Sequence, residues 1–283
     1  MRNDNGSAYW PQANSDARTR IGRRPIAADR QKKEIIMIRR IHLIVWIWIV
    51  LAGCAEEKKQ IVVPAVGMGQ RNPEVKQQML SQLQTDFPKL KPNAIEALDS
   101  IPRMLFVTSA ARHRAYEDKA LPIGSAQATL KLSDIAWLLS EIDIQPSAKV
   151  LEIGTGTGYF TAILSRLAAK VYSIEVLEYL SEISRSTLDR LKIENVKIRN
   201  HDGHDGWPIY APYDVIIVTA AVKEIPSALI SQLAPMGIIA APIRSNSECA
   251  WHIFKSINGE LQELSQRPSN VPNIIEPLTS PLE

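Results

Sequence analysis

The chain has 283 residues, 45% of them hydrophobic and 22% charged, with 13 Gly and 18 Pro. That composition suits one sizeable core of ~200 residues or two small ones, and it excludes a disordered, collagen-like or disulfide-rich protein. The net charge of +3 is uneven: residues 1–53 carry 10 Lys and Arg against 4 Asp and Glu, and the other 230 residues are net acidic at −3, so the bulk of the chain offers no broad positive face for nucleic acid.

Residues 1–36 are polar and Arg-rich, without an apolar period, and are expected to be a disordered or untranslated leader. Met37 opens a different pattern. Arg39-Arg40 precedes an apolar run from Ile41 to Leu51, and Ala52-Gly53-Cys54 follows. A basic start, a short apolar core and small residues at the end define a secretory signal. The run is short for a membrane span, which needs ~20 apolar residues. Leu51-Ala52-Gly53-Cys54 resembles the lipobox of bacterial lipoproteins. By that resemblance Cys54, the last residue of the signal segment 37–54, becomes the lipidated first residue of the mature chain, attached to a bacterial membrane on its periplasmic side. An uncleaved anchor or a buried helix is the other reading. Residues 55–72 are expected to be a tether, and 73–283 one monomeric domain.

The domain opens on a helical preamble. Val75, Met79, Leu80 and Leu83 fit a helical stripe, residues 94–98 a second short helix and residues 133–142 a third. Strands and helices then alternate. Strands are expected at 149–153, 171–175, 196–198 and 214–219, and helices at 159–168, 177–191 and 226–233. The run at 214–219 is continuously apolar, as in a strand buried on both faces of a parallel sheet. Closing strands are expected at 238–242, 250–255 and 261–264, with an Asn258-Gly259 hairpin turn between the last two. Cys249 falls on a strand edge. Repeated β-α-β units predict an α/β fold with a doubly wound, mostly parallel sheet.

The sharpest signal is Val150-Leu151-Glu152-Ile153-Gly154-Thr155-Gly156-Thr157-Gly158-Tyr159. Glycines let a chain turn sharply from strand to helix and let a ligand approach the backbone. Glu175, at the end of the next strand, can accept the hydroxyl protons of a ribose. A dinucleotide site would have the spacing G-x-G-x-x-G; here the spacing is G-x-G-x-G. Glu152, just before the turn, is badly placed for a diphosphate and well placed for an ammonium. S-adenosylmethionine carries an ammonium and no phosphate, so it fits better; a dinucleotide and a ligand-free turn are the alternatives. His201-Asp202-Gly203-His204-Asp205 lies within one loop and is read as a polar loop, not a metal site.

Residues 150–159 resemble the first motif of the class I methyltransferases. More narrowly, the chain is similar to the protein-L-isoaspartate O-methyltransferases. The similarity runs through Ile101-Pro102-Arg103 with Phe106-Val107, Ala115-Tyr116-Glu117-Asp118 with Leu121-Pro122-Ile123-Gly124, and Asp202-Gly203 with Gly206-Trp207-Pro208. It continues through Ala211-Pro212-Tyr213-Asp214, Val218-Thr219-Ala220-Ala221 and Pro277-Leu278-Thr279. The resemblance implies a Rossmann-like methyltransferase that moves a methyl from S-adenosylmethionine to the carboxyl of an L-isoaspartyl residue in a damaged protein. It implies Gly154, Gly156 and Gly158 at the methionine end of the cofactor, Glu175 at the ribose, and Asp202 and Gly203 at the adenine. It also implies a cytoplasmic location, in conflict with the signal.

The chain departs from the family on the substrate side. The family's T-I-S, whose serine helps hold the substrate carboxylate, is matched by Thr129-Leu130-Lys131; an ungapped count puts Leu130 at the serine. Thr129 could donate a hydroxyl and Lys131 could pair with a carboxylate. Arg244 stands where the family has a glycine, and Asn273-Ile274-Ile275-Glu276 lacks the family's Arg and Phe. A cofactor-binding protein with another acceptor, or without turnover, is the alternative these departures raise.

Overall fold

The computed structural model describes residues 73–246, 248–269 and 271. The leader, the signal segment with Cys54, the tether, residues 273–276 and Pro277-Leu278-Thr279 lie outside the described residues.

Helices α1 (Pro73–Asp86) and α2 (Pro92–Ser100) form the preamble. Each begins on a proline, whose missing N–H is not needed in a first turn. Met79, Leu80 and Leu83 of α1 are buried. Val75, expected on the same stripe, is 40% exposed, because it stands a full turn before the first buried position. Two 3₁₀ turns, Arg103–Phe106 and Ser109–Arg114, lead to a small hairpin of β1 (Pro122–Gly124) and β2 (Gln127–Ala128). The sequence reading missed this hairpin. Its tip residues Ser125 and Ala126 both have positive φ without being the Asn-Gly pair that signals such a turn. Helix α3 (Leu132–Glu141) follows.

The main sheet then forms from β3 (Lys149–Ile153), β4 (Lys170–Glu175), β5 (Val196–Asn200), β6 (Tyr213–Val218), β7 (Leu233–Ser245), β8 (Glu248–Ile257) and β9 (Glu260–Pro268), in the order β5-β4-β3-β6-β7-β8-β9. Strands β5 to β7 are parallel; β8 and β9 turn back antiparallel. Helices α4 (Tyr159–Leu167), α5 (Glu178–Arg190) and α6 (Ser227–Ile230) fill the crossovers after β3, β4 and β6. Side chains alternate across the sheet, as the two-residue period requires. Val150, Val171, Val215 and Ile217 face a core shared with α1 to α4, and Leu151, Ile153, Ile174, Ile216 and Val218 face a second core with Trp207 and Leu229.

Two expectations are corrected. The helix expected at 226–233 ends at Ile230, and Leu233 already pairs with Tyr213 in the sheet. Pro235 disfavours helix at the residue before it, which frees this stretch for strand β7. Cys249 is not at an edge: β9 extends to Pro268 and covers β8, leaving the thiol 8% exposed and its pKa raised by burial. The closing strands all run longer than predicted, since their exposed faces break the apolar run. The Asn258-Gly259 turn stands as expected, both residues at positive φ.

Candidate functional site

In an open parallel sheet, ligands bind beyond the carboxyl ends of the strands, where strand order reverses. Here the chain runs from β3 outward to β5, then returns to place β6 on the other side of β3. The end of β4 carries Glu175, and the loops after β3, β5 and β6 carry Gly154, Asp202 and Thr219, to one edge. Together they line an open cleft of about 680 Å³, with Gly156, Gly203, Ile123 and Gln127 among its walls.

The glycine turn is built for this edge. Gly154, Gly156 and Gly158 have φ of 101°, 56° and 92°, a region that side chains rarely adopt. A Cβ on Gly154 would stand 2.3 Å from Thr219 Oγ1, and one on Gly203 2.3 Å from Ile153 Cγ2. Both glycines are packed so closely on those side chains that a methyl group would force one of them to shift. Gly158 plays a different part from the one expected. It lines neither this cleft nor the second one described below. Its N–H bonds to the Thr155 carbonyl, and its bare Cα lets α4 pack on Ser184 of α5.

Glu175 ties strand to turn. Its Oε2 accepts from the Gly156 N–H at 2.7 Å and its Oε1 from the Leu177 N–H at 3.0 Å. A carboxylate offers about four acceptor positions, so capacity remains for two hydroxyls from the cleft. Burial raises its pKa, and the backbone donors oppose that rise. Asp202 is half-buried on the cleft wall and caps its own loop through the His204 N–H at 3.0 Å.

A second cleft of about 400 Å³ adjoins the first, sharing Ile123, Ala128, Gly154, Gly156 and Thr219. Its other walls include Thr129, Leu130, Glu152, Thr155, Thr157 and Tyr159. Glu152 is fully buried, and its Oε2 accepts from Thr161 at 2.5 Å and Ser173 at 2.7 Å. Its Oε1 has no hydrogen-bond partner among the described residues. Burial pushes the carboxyl up to about 8, against the two hydroxyl bonds. An unpartnered buried carboxyl oxygen in one cleft and the Glu175 carboxyl in the other, joined across Gly154 and Gly156, fit a ligand with an ammonium at one end and a ribose at the other. The groups present therefore suit S-adenosylmethionine, while the carboxyl at this end suits no diphosphate.

The substrate-side candidates separate. Thr129 and Leu130 line the second cleft; Lys131 does not, and sits half-buried as the residue before α3. Arg244 lines neither cleft, and its guanidinium donates to the Val271 carbonyl at 2.9 Å. Sequence reasoning missed Thr155, Thr161 and Ser173 around Glu152, and the hairpin residue Ile123, which stands against Gly156. Spacing could have flagged Ser173, which pairs with Glu152 in the sheet register. It missed the role of Arg103 as well, although the motif that holds it was visible.

A family model described as Protein-L-isoaspartate(D-aspartate) O-methyltransferase matches residues 74–270. A protein-L-isoaspartate O-methyltransferase of Synechococcus sp. (strain JA-2-3B'a(2-13)) is 42% identical over 174 residues, covering 62% of this chain and 69% of the relative. A solved protein-L-isoaspartate O-methyltransferase superposes with a TM-score of 0.65 at 27% identity, over 71% of this chain and 66% of that one. A structure from Plasmodium falciparum, described as a putative protein-L-isoaspartate O-methyltransferase in complex with S-adenosyl-L-homocysteine, shares the fold. Its TM-score is 0.61 at 18% identity, over 70% of this chain and 97% of that one. With its glycine turn, its two acidic residues and a family match across most of its length, the chain belongs to the protein-L-isoaspartate(D-aspartate) O-methyltransferase family.

Proposed function

We propose that this chain transfers a methyl group from S-adenosylmethionine to the carboxyl of L-isoaspartyl residues in damaged proteins, a repair reaction. The observation that carries the reading is the pair of adjoining clefts: one has ribose-type acceptors, and the other has a buried carboxyl at one wall and Thr129 and Leu130 at another. Glu175, Asp202 and Gly203 would hold the adenosine end, and Gly154, Gly156 and Glu152 the methionine end. S-adenosylmethionine supplies an electrophilic methyl on a sulfonium. The acceptor carboxylate is already a nucleophile at neutral pH, so the protein has little proton chemistry to perform. Its work is alignment, which is worth several kcal/mol when two reactants are held in line. The hairpin residues Ile123 and Ala128 wall both clefts.

The test is methyl transfer by the full chain to an isoaspartyl peptide, with the aspartyl peptide as control. Transfer to the isoaspartyl peptide only is expected. Binding of S-adenosylhomocysteine without transfer to either peptide would sink the repair reading in favour of another acceptor or of binding without turnover. Leu130 and Lys131 at the family's serine position favour that second reading. The series from Arg39 to Cys54 supports lipid attachment and a periplasmic location, against the cytoplasmic one the family suggests. Fractionation of cells expressing the native chain and Cys54→Ser decides it: both remaining soluble in the cytoplasm at full length would sink lipidation. The protein acts as a monomer in this reading.

A further inference from the structure

Arg103 is fully buried and reaches across the segment that forms the second cleft. Its Nη1 donates to the carbonyls of Ala115 and Glu117, both at 3.0 Å. Its Nη2 donates to the carbonyls of Lys119 at 2.9 Å and Leu130 at 2.8 Å, and to Thr129 Oγ1 at 2.8 Å. A buried cation is costly unless it is well hydrogen-bonded, and the planar guanidinium suits many acceptors at once. The segment from Ala115 to Leu130, which includes the hairpin, is thus gathered around one charge.

Thr129 is where that charge meets the cleft. Its Oγ1 also accepts from the Leu121 N–H at 3.1 Å, and the residue is 9% exposed on the cleft wall. A hydroxyl oxygen has two acceptor lone pairs and one proton. Arg103 and Leu121 occupy both acceptor positions. The proton is left to donate, and among the described residues nothing accepts it. A donor hydrogen-bonded to a cation is itself a stronger donor, because the bonds polarise one another.

We propose that Arg103 is a positioning residue that holds the Thr129 hydroxyl as a one-way donor into the second cleft, where it binds the acceptor carboxylate of the isoaspartyl substrate. This rests on the proposed function and deepens it. It supplies a carboxylate donor where the serine of the family pattern is missing. It also explains why the polar atom sits on Thr129 while its neighbour Leu130 contributes only shape.

The experiment uses the full chain and reads three quantities: kcat/KM on an isoaspartyl peptide, affinity for S-adenosylhomocysteine, and Tm. Thr129→Val keeps the shape and removes the donor. It is expected to lower kcat/KM by about 10- to 100-fold, mostly through KM, the range for a hydrogen bond to a charged group. The affinity for S-adenosylhomocysteine should stay as in the native chain. Thr129→Ser, which restores a hydroxyl, should recover most of the loss. Arg103→Lys should lower both Tm and kcat/KM. In the Thr129→Val background it should lower Tm again but leave kcat/KM close to that of Thr129→Val, because its route to the substrate is gone. A merely structural arginine would lower kcat/KM equally in both backgrounds, and that result would overturn the proposal. So would a Thr129→Val chain with native kcat/KM. If the native chain binds S-adenosylhomocysteine but methylates no isoaspartyl peptide, the proposed function falls first and this inference with it.

Discussion

Glu152 shows how one residue can be both a liability to the fold and an asset to the site. Burial is the largest influence on it and raises its pKa to about 8; the hydroxyls of Thr161 and Ser173 pull the other way, and Glu175 adds a little to the rise. An unfolded glutamate loses its proton near pH 4.5. Between those values the folded chain holds a proton that the unfolded chain has released, so stability falls as pH rises. The stabilisation is fully present below pH 4.5 and lost through pH 8. Its size is on the order of a few kcal/mol, since each pH unit between the two values is worth about 1.4 kcal/mol. Glu152→Gln, which has the same shape, should flatten this slope; denaturant melts of both chains from about pH 4 to about pH 9, a span that brackets the transition, would show it, and parallel slopes would refute it. Ligand binding should move the other way. An ammonium facing Oε1 favours the ionised form, so S-adenosylhomocysteine should bind the native chain more tightly at about pH 7 than at about pH 5. Calorimetry in buffers of different ionisation enthalpy should detect a proton released.

At the scale of the element, the unit β3-turn-α4 does the placing. Strand β3 sits centrally in the sheet, parallel to both neighbours, and its end is where the chain can leave only through a left-handed turn. The loop after β5 comes in so close that Gly203 faces the side chain of Ile153, at the end of β3. Gly203→Ala should therefore push Ile153 into the cleft. Overpacking of that kind costs ~1–3 kcal/mol. Affinity for S-adenosylhomocysteine should fall as well, since Ile153 lines the cleft. In the double variant Gly203→Ala with Ile153→Ala, the two losses in stability should sum to more than the observed total, because the second change removes the clash. Strictly additive losses, read by denaturant melts, would show that the loop moves aside instead.

This unit was also the most legible part of the sequence. An apolar strand, three glycines and an amphipathic helix are local signals, each set by neighbours within a few residues. The long-range bonds around Arg103 and Thr157 were not legible, for a physical reason. Thr157 Oγ1 bonds to the carbonyl of Phe106, 51 positions away, and Arg103 reaches Leu130, 27 positions away. No window of sequence contains both ends of such a bond. The helix expected up to residue 233 failed likewise, because the pairing of Leu233 with Tyr213 outweighs local helix propensity. Of the expected site residues, those following strand ends came together in one cleft, and Gly158, set by helix packing, did not.

For the molecule as a whole, the cleft draws its walls from Ile123 through Ala220, with strand ends from both sides of β3. The closing strands are tied into the same region: Arg267 on β9 donates to the Ser133 carbonyl at 2.7 Å, at the start of the helix that follows Thr129. A ligand seated there touches the hairpin, the ends of β3 and β4, and the loops after β3, β4, β5 and β6, so its binding energy should appear in global unfolding. A ligand that binds the native state and not the unfolded one stabilises by about 2.7 kcal/mol at a concentration 100 times its Kd. For a domain near 200 residues, 1 kcal/mol shifts Tm by roughly 2–4 °C, so S-adenosylhomocysteine at that excess should raise Tm by about 5–10 °C in one cooperative transition. NADH, which needs a diphosphate site that the Glu152 end does not offer, should leave it unmoved. A melt that splits in two, with the ligand shifting only one part, would show that the sheet edge and the closing strands do not unfold together, and a shift by NADH instead would return the glycine turn to the dinucleotide reading.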